Sequence, residues 1–317
     1  MRRWKVLCNE DLKLKPDALQ VVEVIADVDY IEARRDILLQ CIDRYDAYYA
    51  SAWVKADEEV LKRAHRLKVI ATPSTGTDHI DRDYARQKEI DVIDIAEDYD
   101  ILDTFSATAE MAWCLLLACM RHLPGAFEDA KKGMWSRQKF TGCQLLGKTL
   151  GILGYGRLGK MMAEIGKGFR MRVIACDKKK FNSPGLEQVD FDTLLSESDV
   201  LTIHIHLTEK NRGILSREAF RNMKQGVVII NTSRGALIDE EALLEALESG
   251  KVAAAGLDVI QGEWDHNLVD HPLIKYAREH DNLIITPHIG GATVESIIDA
   301  RIYVAQKLAY YIKERMS

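Results

Sequence analysis

The chain lacks the residue clusters that build a structural metal site or a disulfide framework. Its six cysteines, Cys8, Cys41, Cys114, Cys119, Cys143 and Cys176, are scattered, with no CxxC pair and no zinc-type spacing. No metal is expected, and a reduced, cytoplasmic setting is. It also lacks a surplus of positive charge: 43 Lys and Arg against 49 Asp and Glu leave a net charge of -6, which offers no basic face to a phosphate backbone. Nucleic acid is therefore not an expected partner. Long apolar runs are missing as well. The longest, MAWCLLLACM at 111–120, is ten residues closed by Glu110 and Arg121, too short to span a bilayer. It reads as a buried helix, and no membrane partner is expected. The start, MRRWKVLCNEDLK, has no apolar h-region, so no secretory leader is expected. Finally, no linker is rich in Pro and Gly and no repeat of fixed period is visible, so a domain break has to be placed by pattern.

What is present is enough apolar sequence for a sizeable core: 317 residues, 47% hydrophobic, a length that suggests about two domains. Beyond residue 149 short apolar runs alternate with helical patterns. They are LGILG at 150–154, RVIACD at 172–177, DVLTIHIH at 199–206, VVIINTS at 227–233, AAAGLDV at 253–259 and LIITPH at 283–288, with helices such as DEEALLEALESG at 239–250 between them. Buried runs of this kind alternating with helices predict an α/β fold, a Rossmann-type doubly wound parallel sheet. The first hundred residues repeat the pattern more weakly, with WKVLC, VVEVIADV, DAYYASAW, LKVIATPS and IDVIDIA as strand candidates. They predict a second, smaller flavodoxin-like α/β domain. A helical pattern at about 104–121 opens the larger domain, and the last helix, at about 293–313, has no strand after it. Folded back, it makes the smaller domain discontinuous: 1–103 with 287–317, enclosing a cofactor domain at 104–286.

Within that frame the stretch ILGYGRLGKMM at 152–162 places Gly154, Gly156 and Gly159 between a strand and a helix, and a second strand ends in Asp177, 18 residues after Gly159. This is the βαβ dinucleotide fingerprint. The first glycine allows the tight turn, the second lets a pyrophosphate approach the backbone, and the third lets helix and strand pack closely. The free amides of the helix start, at Arg157 and Leu158, then meet the anion. Asp177 is placed to hold the ribose hydroxyls and to repel a 2′-phosphate, which favours NAD over NADP.

Ligands of open α/β sheets bind at the carboxyl ends of the strands. Three segments bring ionisable groups there: NTSRGALID at 231–239, GLDVIQGE at 256–263 and TPHIGGAT at 286–293. Hydride transfer to a carbonyl needs a cation to polarise the oxygen, an acid to protonate it and a partner for that acid. Arg234, His288 and Glu263 supply those three groups. His204 ends a buried strand, and its reading stays open between a structural hydrogen bond and a nicotinamide-side role. His65, His79, His122, His266, His271 and His280 read as surface or satisfied core groups.

Taken together, NTSRGALIDEEALLEAL, GLDV and PHIGGAT, with STGTDHID at 74–81, resemble the D-isomer-specific 2-hydroxyacid dehydrogenases, over most of the chain and most strongly from 147 to 293. The resemblance implies a catalytic set of Arg234, Glu263 and His288. It implies that Ser74, Thr75 and Gly76 present backbone amides to the substrate carboxylate, with Arg234 beside them as a substrate ligand. Thr232 and Asp258 line the nicotinamide side of the cofactor, Asp258 facing the carboxamide, and Thr108 joins the cofactor residues. A homodimer formed through the cofactor domain is implied too, with part of 111–147 facing the second subunit. The chain departs from the family pattern at Trp264, where proline is usual after the glutamate, and at His206, which replaces a common proline. With Ser317 as its last residue, no appended regulatory domain is expected.

The function expected is an NAD-dependent oxidoreductase interconverting a small 2-oxo acid and its D-2-hydroxy acid. Glyoxylate, hydroxypyruvate, the phosphoglycerate pair and larger 2-oxo acids all share the required carboxylate and carbonyl, so the substrate stays open. An NAD-binding regulatory or interaction protein on the same fold is the alternative. A pure sensor has no use for a proton donor.

Overall fold

The computed structural model describes residues 2–264 and 267–316, so His266 lies outside the described residues. The chain divides into two compact units, one made of Met1–Phe105 with Ala292–Ser317 and the other of Ser106–Gly291. The first unit holds a five-stranded parallel sheet of β1 (Trp4–Cys8), β2 (Ala26–Tyr30), β3 (Ala47–Tyr49), β4 (Val69–Ala71) and β5 (Asp91–Ile93), in the order β2-β1-β3-β4-β5. That is the flavodoxin-like order. The segment VVEVIADV does not run as one strand. Gln20–Glu23 is a short helix that buries Val22 and leaves Val21 and Val24 exposed, and the strand starts only at Ala26.

The C-terminal helix Val294–Glu314 belongs to this first unit. It starts at Thr293, whose Oγ1 accepts the Ser296 amide at 3.3 Å, a cap worth about 1 kcal/mol. Its apolar stripe, Ala300, Val304, Ala305, Leu308 and Ile312, is buried in the same core as Val6, Tyr49 and Val69. Beside that stripe Arg301 makes a 2.5 Å ion pair with Glu10, each side chain only 10% exposed.

The second unit contains β6 (Thr149–Leu153), β7 (Arg172–Cys176), β8 (Glu187–Gln188), β9 (Val200–Ile203), β10 (Val227–Asn231), β11 (Val252–Leu257) and β12 (Leu283–Ile285). All pair in parallel, in the order β12-β11-β10-β9-β6-β7-β8. Counted from β6 this is the dinucleotide-binding order, with the switch point between β6 and β9. The two-residue β8 carries no apolar run, and nothing in its sequence marks it as a strand. The apolar run at 111–120 lies in helix Ala107–Met120, which packs on β10, β11 and the helix Arg157–Gly168. Trp113 of that helix stacks on Phe169 at 5.0 Å.

The second crossing between the units falls at Gly291/Ala292 rather than at 287, which moves His288 from the discontinuous unit to the cofactor unit. The reason is local. The His288 amide donates to the Asp258 carbonyl at 2.9 Å, and the amides of Ile289 and Gly290 donate to the Asp258 carboxylate. These bonds tie the segment after β12 to the end of β11.

Candidate active site

β6 ends at Leu153, and the chain turns on Gly154 at φ +97°, where only glycine is unstrained. A Cβ on Gly154 would meet the carbonyl of His204, and one on Gly159 would overlap the carbonyl oxygen of Gly154. Those two glycines are required by packing. Gly156 is different: a Cβ there would meet nothing within 4 Å. It caps the helix Arg157–Gly168 without a side-chain hydrogen bond, so no N-cap side chain stands between the first turn and an approaching anion. Asp177, just past β7, accepts the Tyr155 amide at 2.7 Å on Oδ2 and the Lys179 amide at 2.8 Å on Oδ1. It thereby fixes the glycine loop against the end of β7. Two acceptor bonds leave a carboxylate with further lone pairs.

At the switch point β9 ends at Ile203, so His204 and His206 lie just beyond the strand rather than within it. His204 Nε2 meets Thr202 Oγ1 at 2.8 Å, and burial pushes the ring's pKa down to about 3, which keeps it neutral. Its Nδ1 and the Oγ1 of Thr232, which follows β10, are buried without a hydrogen-bond partner among the described residues. Buried polar atoms are normally paired. Two orphaned ones at the carboxyl ends of β9 and β10, beside an open glycine cradle, fit a polar ligand lying across the switch point. A dinucleotide has the amide and hydroxyl groups to pair them.

The catalytic candidates stand on the next strand ends. Asn231 donates from Nδ2 to the Arg234 carbonyl at 2.9 Å and accepts the Ser233 amide at 3.0 Å, while Ser233 Oγ donates to the Ile203 carbonyl at 2.8 Å. The loop that presents Arg234 is therefore held by its own asparagine and by the neighbouring strand. Asp258, 1% exposed, accepts Thr286 Oγ1 at 2.6 Å and the Ile289 amide at 2.9 Å on Oδ1, and the Gly290 amide at 2.6 Å on Oδ2. Its carboxylate is committed to the 286–290 turn. Its partners are the Thr286 hydroxyl and the backbone amides next to His288. Thr108 adjoins the same turn, its Cγ2 lying 3.5 Å from where a Cβ on Gly290 would stand.

His288 occupies the left-handed region at φ +53°. Its Nδ1 lies 2.9 Å from Glu263 Oε1, with the glutamate side chain 14% exposed. With the carboxylate accepting from Nδ1, Nε2 is the ring nitrogen left for proton exchange. The Trp264 ring lies against the imidazole at 5.4 Å, tilted by 36°. Arg234, Glu263 and His288 thus stand at the ends of three adjacent strands of one unit. Ser74, Thr75 and Gly76 lie in the other unit, on the loop after β4, where the Ser74 carbonyl accepts the Ile95 amide at 3.5 Å.

Sequence reasoning passed over a second titratable pair in this unit. Glu240 and His271 lie 3.4 Å apart, and both are largely buried. Glu240 stands in the first turn of an amphipathic helix, where acids are ordinarily solvated, and nothing in the spacing marks it as buried.

Residues 113–290 match the model of the D-isomer specific 2-hydroxyacid dehydrogenase NAD-binding domain. The chain is 36% identical to a hydroxypyruvate reductase of Thermotoga maritima over 97% of its own length and 98% of that protein's. It is 38% identical to a D-3-phosphoglycerate dehydrogenase of Archaeoglobus fulgidus over 88% of its length, but spans only about half (52%) of that longer protein. Among solved structures it is similar to a D-lactate dehydrogenase of Aquifex aeolicus complexed with NAD and lactic acid, with a TM-score of 0.85 and 28% identity, covering 98% of this chain and 96% of that one. No helix among the described residues is long and apolar enough to cross a membrane.

Proposed function

This chain belongs to the D-isomer specific 2-hydroxyacid dehydrogenases and is an NAD-dependent oxidoreductase, and from that premise we propose that it reduces a small 2-oxo acid through Arg234, Glu263 and His288. The observation that carries the reading is the His288–Glu263 contact of 2.9 Å on a turn fixed by Asp258.

Bound NADH supplies the hydride. The chain's own groups do the rest. The Arg234 guanidinium neutralises the substrate carboxylate and polarises the carbonyl oxygen, a task suited to its planar fork. His288 delivers a proton from Nε2 to that oxygen as negative charge develops on it, and Glu263 on Nδ1 holds the ring in orientation and stabilises its cationic form. In the oxidative direction the same imidazole, neutral, accepts the proton. The amides of Arg157 and Leu158 over Gly156 would hold the pyrophosphate, Asp177 the adenosine ribose, and His204 with Thr232 and Thr108 the nicotinamide side.

Hydroxypyruvate and glyoxylate are the proposed substrates. The similarity to a hydroxypyruvate reductase extends over nearly the full length of both proteins, which supports this choice. A homodimer through the cofactor unit is part of the proposal. It is supported by exposed apolar side chains gathered within 123–135: Leu123, Phe127, Met134 and Trp135, the last 89% exposed.

The test is NADH oxidation with glyoxylate, hydroxypyruvate, phosphohydroxypyruvate and pyruvate, with oligomeric state measured alongside. Turnover strongest on the first two supports the assignment. Strongest turnover on the phosphorylated acid overturns the substrate, and none on any 2-oxo acid overturns the reaction.

A further inference from the structure

The turn that carries Glu263 is gripped from behind. Glu240 accepts the Gln261 amide on Oε1 at 2.7 Å, and its Oε2 lies 3.4 Å from His271 Nε2. The same His271 nitrogen lies 3.1 Å from the Gln261 carbonyl, so a proton on Nε2 is shared between that oxygen and the carboxylate. Gln261 also donates from its side-chain Nε2 to the Ile238 carbonyl at 3.0 Å. One residue, two before Glu263, is therefore fixed at its amide, its carbonyl and its side chain. On the other flank Gly235, directly after Arg234, presses so closely on the backbone of Ile260 and Gln261 that no Cβ could be accommodated. The loops bearing Arg234 and Glu263 touch through this one segment.

The grip is made with an acid in a place that disfavours its charged form. The side chains of Glu240 and His271 are 15% and 13% exposed, and burial, with the nearby Glu263 carboxylate adding to it, raises the Glu240 pKa to about 7. The titratable groups around Glu240 are Glu263 on the turn, His271 ahead of helix Pro272–Glu279, and Asp239, whose own carboxylate is occupied in capping Ala242. A neutral side chain would hold the turn at less cost to stability. A second carboxylate within electrostatic reach of Glu263 acts on the acid–base pair as well as on the backbone.

We propose that Glu240, seated by His271, is a positioning residue for the reaction: it clamps Gln261 so that Glu263 meets His288, and when ionised it supports the cationic imidazole through Glu263. The inference rests on the proposed function for its catalytic consequence and on hydrogen bonds alone for the clamp.

The test compares Glu240→Ala and Glu240→Gln with the wild type. Amide hydrogen exchange at Gln261 needs no substrate, and it should accelerate at least about 10-fold in Glu240→Ala. In the same variant kcat for 2-oxo acid reduction should fall about 10- to 100-fold while the Kd for NADH stays within about twofold, the signature of misplacement rather than lost binding. Glu240→Gln keeps an acceptor for the Gln261 amide, so exchange protection and part of kcat return, but the dependence of kcat on Glu240 ionisation around pH 7 is lost. Unchanged exchange in Glu240→Ala overturns the clamp. A lowered Tm with an unaltered kcat and pH profile in both variants overturns the positioning role. Should the wild type reduce no 2-oxo acid, the reaction assignment fails on its own and the exchange measurement still decides the clamp.

Discussion

Glu263 Oε1 stands 2.9 Å from His288 Nδ1, and the histidine reaches that contact from a backbone at φ +53° that Asp258 holds in place. Reduction consumes a proton, which His288 delivers, and oxidation returns one to the same ring. In His288→Gln, reduction should drop about 10²-fold or more with NADH binding intact. In Glu263→Gln the ring keeps a neighbour of the same shape but loses its carboxylate, and reduction should drop about 10-fold or more. Steady-state rates check both, and an unchanged rate in Glu263→Gln would remove Glu263 from the mechanism.

Arg234→Lys keeps the charge and loses the fork. With the loop fixed by Asn231 and Ser233, the backbone should stay where it is. Reduction kcat/KM should fall by roughly 10²-fold or more, with little change in the Kd for NADH measured by fluorescence titration. Wild-type kinetics in this variant would assign Arg234 to structure.

The two glycines at the helix entrance should behave oppositely. Gly159→Ala forces a Cβ into the Gly154 carbonyl and should cost about 1–3 kcal/mol or more of stability. Gly156→Ala meets no protein atom, so its Tm should match the wild type while NADH binding weakens at least ~10-fold, because the methyl occupies the space the pyrophosphate would use. Thermal melts with and without NADH separate the two effects.

Cofactor choice follows from Asp177, whose carboxylate at the tip of β7 should favour NADH over NADPH by at least ~10-fold in kcat/KM. Asp177→Asn keeps an acceptor for the Tyr155 amide and should narrow that gap. Equal use of both cofactors by the wild type would instead point to Lys178, Lys179 and Lys180 as phosphate ligands.

Acid stability should depend on His204. Its pKa is depressed by burial from 6.5 to about 3, so the folded state binds fewer protons than the unfolded one between those values. The contribution is fully present above pH 6.5 and is lost as pH falls toward 3. Denaturant titrations at pH 7 and pH 4.5 should show a smaller loss in His204→Gln than in the wild type.

The strands of the cofactor unit were legible because strands covered on both faces read as unbroken apolar runs, and Gly154, Gly156 and Gly159 stood out because three glycines in register between a strand and a helix point to a tight turn and close backbone approach. The failures have physical causes too. Val21 and Val24 resemble strand residues by composition, but their exposure shows that they form the outer side of a short helix. The bonds from Asp258 to Ile289 and Gly290, which draw His288 into the compact unit of residues 106–291, join residues far apart in the chain and leave no local pattern. Glu240 was passed over for the complementary reason: a first-turn glutamate reads the same whether water or another chain segment receives it.

The interrupted course of the first unit has a consequence for biosynthesis. Ser106–Gly291, with Arg234, Glu263 and His288 inside it, is one unbroken stretch of chain and can fold as soon as it has left the ribosome. The first unit cannot, although it is translated earlier. Its core lacks Ala300, Val304, Leu308 and Ile312 until the last helix emerges, and Glu10 stays unpaired until Arg301 arrives. The half made first is completed last, so a ribosome stalled near residue 290 would display a finished cofactor unit tethered to an N-terminal segment with an open apolar face, the species that chaperones would have to shield.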